Sequence, residues 1–219
     1  MSTPIIAALV VAAALLYQTG NQAHPPTGTP SASFAHVDQE LVSLRATVGG
    51  YPPRFLAGSS RESETKRIRN VLAELTSGIG REPESCELLW RLGDAYRMAH
   101  NLDEPGSAES SLAALQKALK IDPKCMRAHL TLGLLYVGAN PKFAPDAERE
   151  FKAALQQAGK EPLAAAHQGL VFAYVYQGRV KEALDEAELY LTIEPDDVSM
   201  QTIRDTLRDH PERVKVGRN

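Results

Sequence analysis

Leu89-Trp90-Arg91-Leu92-Gly93-Asp94-Ala95-Tyr96 returns with the same spacing as His129-Leu130-Thr131-Leu132-Gly133-Leu134-Leu135-Tyr136, and again as His167-Gln168-Gly169-Leu170-Val171-Phe172-Ala173-Tyr174. A second pattern follows each string: Ser111-x-x-x-Leu115-x-x-Ala118, Ala147-x-x-x-Phe151-x-x-Ala154 and Ala183-x-x-x-Ala187-x-x-Tyr190. Large residues three and four apart give every segment one apolar stripe, the period of an amphipathic helix. Small residues on the stripe, Gly93 and Gly133 on one side and Ala118, Ala154, Ala183 and Ala187 on the other, let paired helices approach closely. Pro123 and Pro195 end two of the second helices, because proline cannot continue the hydrogen-bond ladder. Each unit therefore reads as a helix hairpin that buries its stripe only by stacking on its neighbours.

These strings resemble the tetratricopeptide repeat (TPR) over residues 86–195, with Leu92, Gly93, Tyr96, Leu132, Gly133, Tyr136, Leu170, Tyr174 and Ala183 in packing roles. The resemblance implies an all-α protein, a right-handed superhelical solenoid of helix-turn-helix repeats with a C-terminal capping helix. The steps from Tyr96 to Tyr136 and from Tyr136 to Tyr174 are 40 and 38 residues, longer than the usual period of about 34. Pro105 is expected at the first position of the second helix, which the extra residues would lengthen by about one turn. Asn140 to Pro145 plays the same part more briefly, and Gly159 stands where a terminating proline is expected. Upstream, Ile68, Val71, Leu72 and Leu75 predict a helix from about Arg61 to Ser77, a divergent half-repeat whose partner is His36 to Val48. Downstream, Asp196 or Asp197 caps a last helix with Met200, Ile203 and Leu207 inward, the end cover a solenoid needs. The chain divides into a signal peptide or membrane anchor (1–23), a flexible linker (24–35), a divergent helical region (36–85), repeats at 86–125, 126–162 and 163–197, a capping helix (198–210) and a tail (211–219).

In the TPR family the first helix of each repeat lines a concave groove. By that register Trp90, Asp94, Arg97, Arg127, Leu130, Leu134, Val137, Phe172, Val175 and Tyr176 are expected to bind a partner. Arg91 and Gln168 lie on the same faces. Such a groove is apolar along most of its length, with charge at its N-terminal end, and suits a helix or an extended peptide. Trp90, the single tryptophan, is a natural anchor. The competing reading has these residues covered by the Tyr51-Pro52-Pro53-Arg54-Phe55 segment or by the linker. A clamp of Lys, Arg and Asn for a terminal carboxylate, known in some members, is not matched, since Thr131, Gln168 and apolar groups fill its places.

Composition narrows the function classes. Of 219 residues 43% are hydrophobic and 23% charged, with 24 Lys+Arg against 27 Asp+Glu and a net charge of −3, which leaves no overall attraction for nucleic acid. Ile5 to Tyr17 is an unbroken apolar run, short for a membrane span and close to a signal-peptide core. Cleaved signal and uncleaved anchor both remain open, and either implies an exported or membrane-anchored protein attached, if at all, through residues 5–17. No phosphate loop, nucleophile elbow or HExxH helix is present, so no catalytic residue, cofactor or metal is expected. His129 and His167 occupy equivalent slots without an acidic residue one turn away on their own face, and read as packing histidines rather than zinc ligands. Cys86 and Cys125 start successive first helices whose axes pack about 10 Å apart, outside disulfide reach unless the helix starts lean together. The Lys66-Arg67-Arg69 cluster reads as the wet face of its helix, with anionic lipid as the alternative. The function expected is a non-enzymatic adaptor for another protein; the alternative is a self-associating scaffold of an envelope complex.

Overall fold

The computed structural model describes residues 34–213; the leader, the linker as far as Ser33 and the tail from residue 214 lie outside them. Among the described residues nine α-helices follow one another: α1 (Ala35–Val48), α2 (Arg61–Arg81), α3 (Cys86–Asn101), α4 (Ser107–Ile121), α5 (Met126–Ala139), α6 (Ala144–Ala158), α7 (Ala164–Tyr176), α8 (Val180–Ile193) and α9 (Val198–Asp209). No strand occurs among the described residues, and none of their helices is long and apolar enough to cross a membrane. Each first helix packs on its own second helix (α3 on α4, α5 on α6, α7 on α8) and on the first helix of the next hairpin (α3 on α5, α5 on α7). The α1/α2 pair extends this row at the N-terminal end, and α9 closes the other end against α8. The result is a TPR-like helical solenoid.

Local signals set the helix ends. Ser60 and Ser63 form a reciprocal cap on α2, the Ser85 hydroxyl accepts from the Leu88 N–H at the start of α3, and Asp197 accepts from Ser199 and Met200 at the start of α9. Such caps satisfy amides that have no partner within the helix. Gly159 ends α6 at φ +63. Two details differ from the sequence reading. Pro105 does not open α4: Gly106, at φ +74, turns the chain and the helix begins at Ser107. At 15 residues α4 is no longer than α6, so the insertion sits in the turn. In addition, α2 continues past Ser77 to Arg81, with the Phe34 ring packed where a Cβ on Gly78 would stand.

The glycines in the repeat act by close approach. A Cβ on Gly93 would fall 2.5 Å from Leu115 Cγ, and one on Gly133 would fall 2.7 Å from Phe151 Cε1. Gly169 meets the same Phe151 ring from α7. The third copy thus lacks the glycine at Val171 and supplies another two residues earlier. Phe151, fully buried, is the knob on which α5, α6 and α7 converge.

Cys86 and Cys125 form a disulfide, with Cα atoms 6.6 Å apart, contrary to the distance argument from helix axes. The axes need not approach, since Cys86 is the first residue of α3 and Cys125 the cap of α5, and the two starts converge. The bond closes a segment of 39 residues, a loop length at which removing a cross-link typically costs about 2–4 kcal/mol. Replacing both cysteines by serine is expected to lower the unfolding free energy by that amount, and the urea midpoint with it, with the far-UV spectrum retained. An unchanged midpoint would show the staple to be energetically silent.

Candidate functional site

The row of first helices begins at an ionic joint between α1 and α3. Arg91 donates from Nε and Nη2 to the two oxygens of Asp38 at 2.6 and 2.9 Å, and from Nη1 to Glu87. Asp94 receives Arg45 Nε at 2.7 Å on one oxygen and Arg97 Nη2 at 2.7 Å on the other. Arg97 also donates to the Gly49 carbonyl, and Asn101 to that of Val48. Two side chains of α3 thereby satisfy backbone oxygens where α1 ends, the place where a helix dipole favours a cation. Asp94 is 1% exposed and Arg97 3%. Burial alone would push the Asp94 carboxyl up, but Arg45 and Arg97 outweigh it and hold the group below the ordinary carboxylate range.

Trp90 lies within this joint. Its Nε1–H donates to Glu87, and the guanidinium carbons of Arg91 and Arg45 sit 4.5 and 5.9 Å from the ring centroid, in cation–π range. Only 4% of it is exposed. Leu130, Leu134, Val137 and Phe172 are likewise buried and belong to one apolar cluster with Met200 and Ile203 of α9. The sequence-based expectation of a widely exposed apolar wall is therefore not met: α5, α7 and α9 share a core. Of the ten residues expected to touch a partner, Arg127, Val175 and Tyr176 are partly exposed and the others buried. The rings of Tyr51 and Phe55 stay in solvent, so that segment does not use them to cover the wall.

Packing residues of the repeat fall on the hairpin interiors. Leu132, Leu170, Tyr174 and Ala183 are buried, whereas Leu92, Tyr96 and Tyr136 are half-buried. Tyr174 carries the Arg179 guanidinium 4.3 Å from its centroid. Arg179, Lys152 and Gln177 all donate to Glu148, whose carboxyl, despite some burial, is lowered to about 2. Tyr190, fully buried, donates its hydroxyl to the capping Asp197 and fastens α8 to α9.

The two histidines have a role that same-face reasoning missed. His129 Nδ1 lies 2.7 Å from Glu150, and His167 Nδ1 lies 2.7 Å from Glu186. Each pair ties a first helix to its second across the hairpin, and each glutamate immediately precedes the small-or-aromatic slot, Phe151 or Ala187. The available signal was the covariation within the chain: where repeat one has Leu89 it has Ala114, and where the later repeats have His they have Glu. No group of three metal-ligating side chains occurs among the described residues. The basic cluster on α2 is also engaged, Arg67 by Glu40 and Glu64 and Arg69 by Glu104.

The bond to Glu150, against some desolvation, raises the His129 pKa above its ordinary value. A raised folded pKa means that the protonated pair stabilises fully below the unfolded value near 6.5 and that this stability is lost as pH rises through the folded value. The gap in urea midpoint between wild type and Glu150→Gln should therefore be wide at about pH 5.5 and narrower at about pH 8.5. A gap that does not change with pH would assign the pair to packing alone.

The fold has a counterpart of known structure. A crystal structure of a thermophilic TPR protein from Thermus thermophilus superimposes with a TM-score of 0.56 at 20% identity, covering 78% of this chain and 81% of that one. No protein family matches the sequence, and no curated protein does. The similarity establishes a shared helical-repeat architecture.

Proposed function

We propose that this chain is a non-enzymatic adaptor, exported or held at a membrane by its N-terminal run, that binds a segment of another protein along its concave face. The observation that carries the reading is the row of first helices α3, α5 and α7, each packed on the next, on which Arg127, Val175 and Tyr176 reach solvent above a core that includes Leu130, Leu134, Val137 and Phe172. Partly exposed aromatic and aliphatic side chains on such a row suit a helix or an extended peptide. The Cys86–Cys125 bond supports the exported reading, since disulfides persist in oxidising compartments.

The test is affinity capture followed by mass spectrometry with wild type, Tyr176→Asp and Val175→Asp. Both positions are partly exposed, so the variants should keep the wild-type circular dichroism spectrum. Loss of a specifically captured protein in both is expected; full recovery by both folded variants would remove the concave face as the binding surface. Light scattering of the isolated protein separates an adaptor, expected as a monomer, from a self-associating scaffold. The mass of the mature N-terminus decides between a cut signal and an intact anchor.

A further inference from the structure

The two edges of the helix row differ in chemistry. Arg97 donates to the Gly49 carbonyl and Asn101 to that of Val48, so α1 and α3 end side by side. The Cys86–Cys125 bond joins the starts of α3 and α5. The three first helices therefore run parallel, and the turns that follow them, residues 49–60, 102–106 and 140–143, share one edge. All the exposed Phe, Tyr and Trp side chains among the described residues lie there: Tyr51 at 53%, Phe55 at 38% and Phe143 at 43% exposed, with Leu56 at 54% beside the first two. Arg54 and Lys142, also exposed, stand next to them in the chain. The acids of the intervening turn are engaged, Asp103 by Arg61 and Glu104 by Arg69. The opposite edge, where the second helices end, presents no exposed aromatic among the described residues. Its turns expose Glu82, Glu84, Asp122 and Asp196 instead. Local contacts shape the aromatic edge: the Arg54 N–H donates to the Thr47 carbonyl, the Ser59 N–H to that of Leu56, and the Phe143 ring lies 5.7 Å from Tyr136.

We propose that this edge docks on a lipid bilayer, with Tyr51, Phe55, Leu56 and Phe143 entering the headgroup boundary and Arg54 and Lys142 meeting anionic headgroups. Aromatic side chains favour that boundary, where one end of the ring is apolar and the other wet. The proposal rests on the membrane-held form of the reading above and supplies what that form lacks. The run from Ile5 to Tyr17 covers about 20 Å as a helix, short of a hydrocarbon core of about 30 Å, and stable attachment takes a second signal. Residues 18–33 span up to about 50 Å when extended, whereas α1, with 14 residues, is about 21 Å long. The run and the aromatic edge can therefore meet one surface. Charge sets the orientation, since an anionic bilayer repels the acidic edge. A bilayer fits better than a protein partner, because the two apolar spots stand two helices apart, about 20 Å, across a polar turn. A flat surface takes both spots at once, while four side chains fall short of the roughly 1,000 Å² that a stable protein interface buries.

The test reconstitutes the full chain with vesicles of phosphatidylcholine and phosphatidylglycerol in equal parts. Because Cys86 and Cys125 are bonded to each other, a polarity-sensitive fluorophore goes only to an added cysteine. Labels on Leu56→Cys and Phe143→Cys should shift to the blue with vesicles and be quenched by spin-labelled lipid. A label on Ile121→Cys, exposed at the opposite edge, should stay aqueous. Cosedimentation reads the strength: Phe55→Ser combined with Leu56→Ser should lower the partition onto vesicles by about 10-fold with the circular dichroism spectrum retained. Aqueous labels at positions 56 and 143 on a chain that still cosediments, or an undiminished partition of the folded double variant, would overturn the docking edge and leave the membrane-held reading standing. A chain that does not cosediment at all would overturn that reading and the docking edge with it. Equal shielding at position 121 would overturn the orientation. A blue shift at position 56 that grows with protein concentration in the absence of vesicles would assign the edge to a second copy of the chain and overturn the proposal.

Discussion

Asp94→Ala should cost about 3–5 kcal/mol of unfolding free energy at neutral pH, the range for breaking a buried ion pair by removing one partner. The carboxylate is 1% exposed and joins Arg45 of α1 to Arg97 of α3. Its removal takes a carboxylate from the buried Arg97 guanidinium and unties Arg45 from α3. The loss should be local before it is global. Amides of α1 are expected to lose exchange protection first, since α1 is held to α3 by this pair, by Asp38 with Arg91 and by the donors to Val48 and Gly49, while α9 keeps its protection. The pH dependence follows in sign. A carboxyl held below its ordinary value stabilises fully above the unfolded value near 3.9 and loses that contribution as pH falls through the lower, folded one. The gap between wild type and variant should thus be flat from about pH 5 upward and close only in strong acid. A cost under about 1 kcal/mol, or a gap that closes already near neutrality, would mean that the joint is held by packing and not by charge.

This joint also shows where sequence reasoning reaches its limit. The period of Leu92, Gly93 and Tyr96 and its returns at Leu132 and Leu170 fixed which face of each helix packs inside its hairpin, because that face is defined by the chain's own spacing. The opposite face is defined by what comes to lie on it. Asp94 and Arg97 occupy groove positions by register, yet α1 extends the row of first helices by one and turns those positions into an interhelical seam. His36 to Val48 was legible as a helix with an apolar stripe, but its charges Asp38 and Arg45 point to α3 only once the two helices are placed side by side. The same limit hid the Glu150 and Glu186 partners of the histidines, which lie across a hairpin and not along a helix. It also hid the disulfide, since axis separation says little about where helix ends converge. Glycine at 93 and 133 was legible for the opposite reason: only close approach explains a residue that otherwise costs helix stability.

Phe151→Ala should be comparably costly, at about 3–5 kcal/mol, the usual range for deleting a fully buried phenylalanine. What distinguishes it is the coupling to glycine. A Cβ at position 133 would sit 2.7 Å from Phe151 Cε1, closer than packed carbons tolerate, so Gly133→Ala in the wild-type background should destabilise by about 1–3 kcal/mol through overpacking. In a helix interior the same change otherwise gains about 1 kcal/mol of intrinsic propensity. Once Phe151 has been cut back to alanine, the clash is gone and the added methyl fills part of the vacated space. Gly133→Ala should then reverse sign and stabilise the Phe151→Ala protein. Gly169, which meets the same ring from α7, should behave in the same way, since one aromatic side chain sets the spacing on both sides. A double-mutant cycle by urea denaturation decides the matter. Costs that add within about 0.5 kcal/mol would show that Phe151 rotates freely out of the way, and that close approach of glycine to this ring is not what spaces α5, α6 and α7.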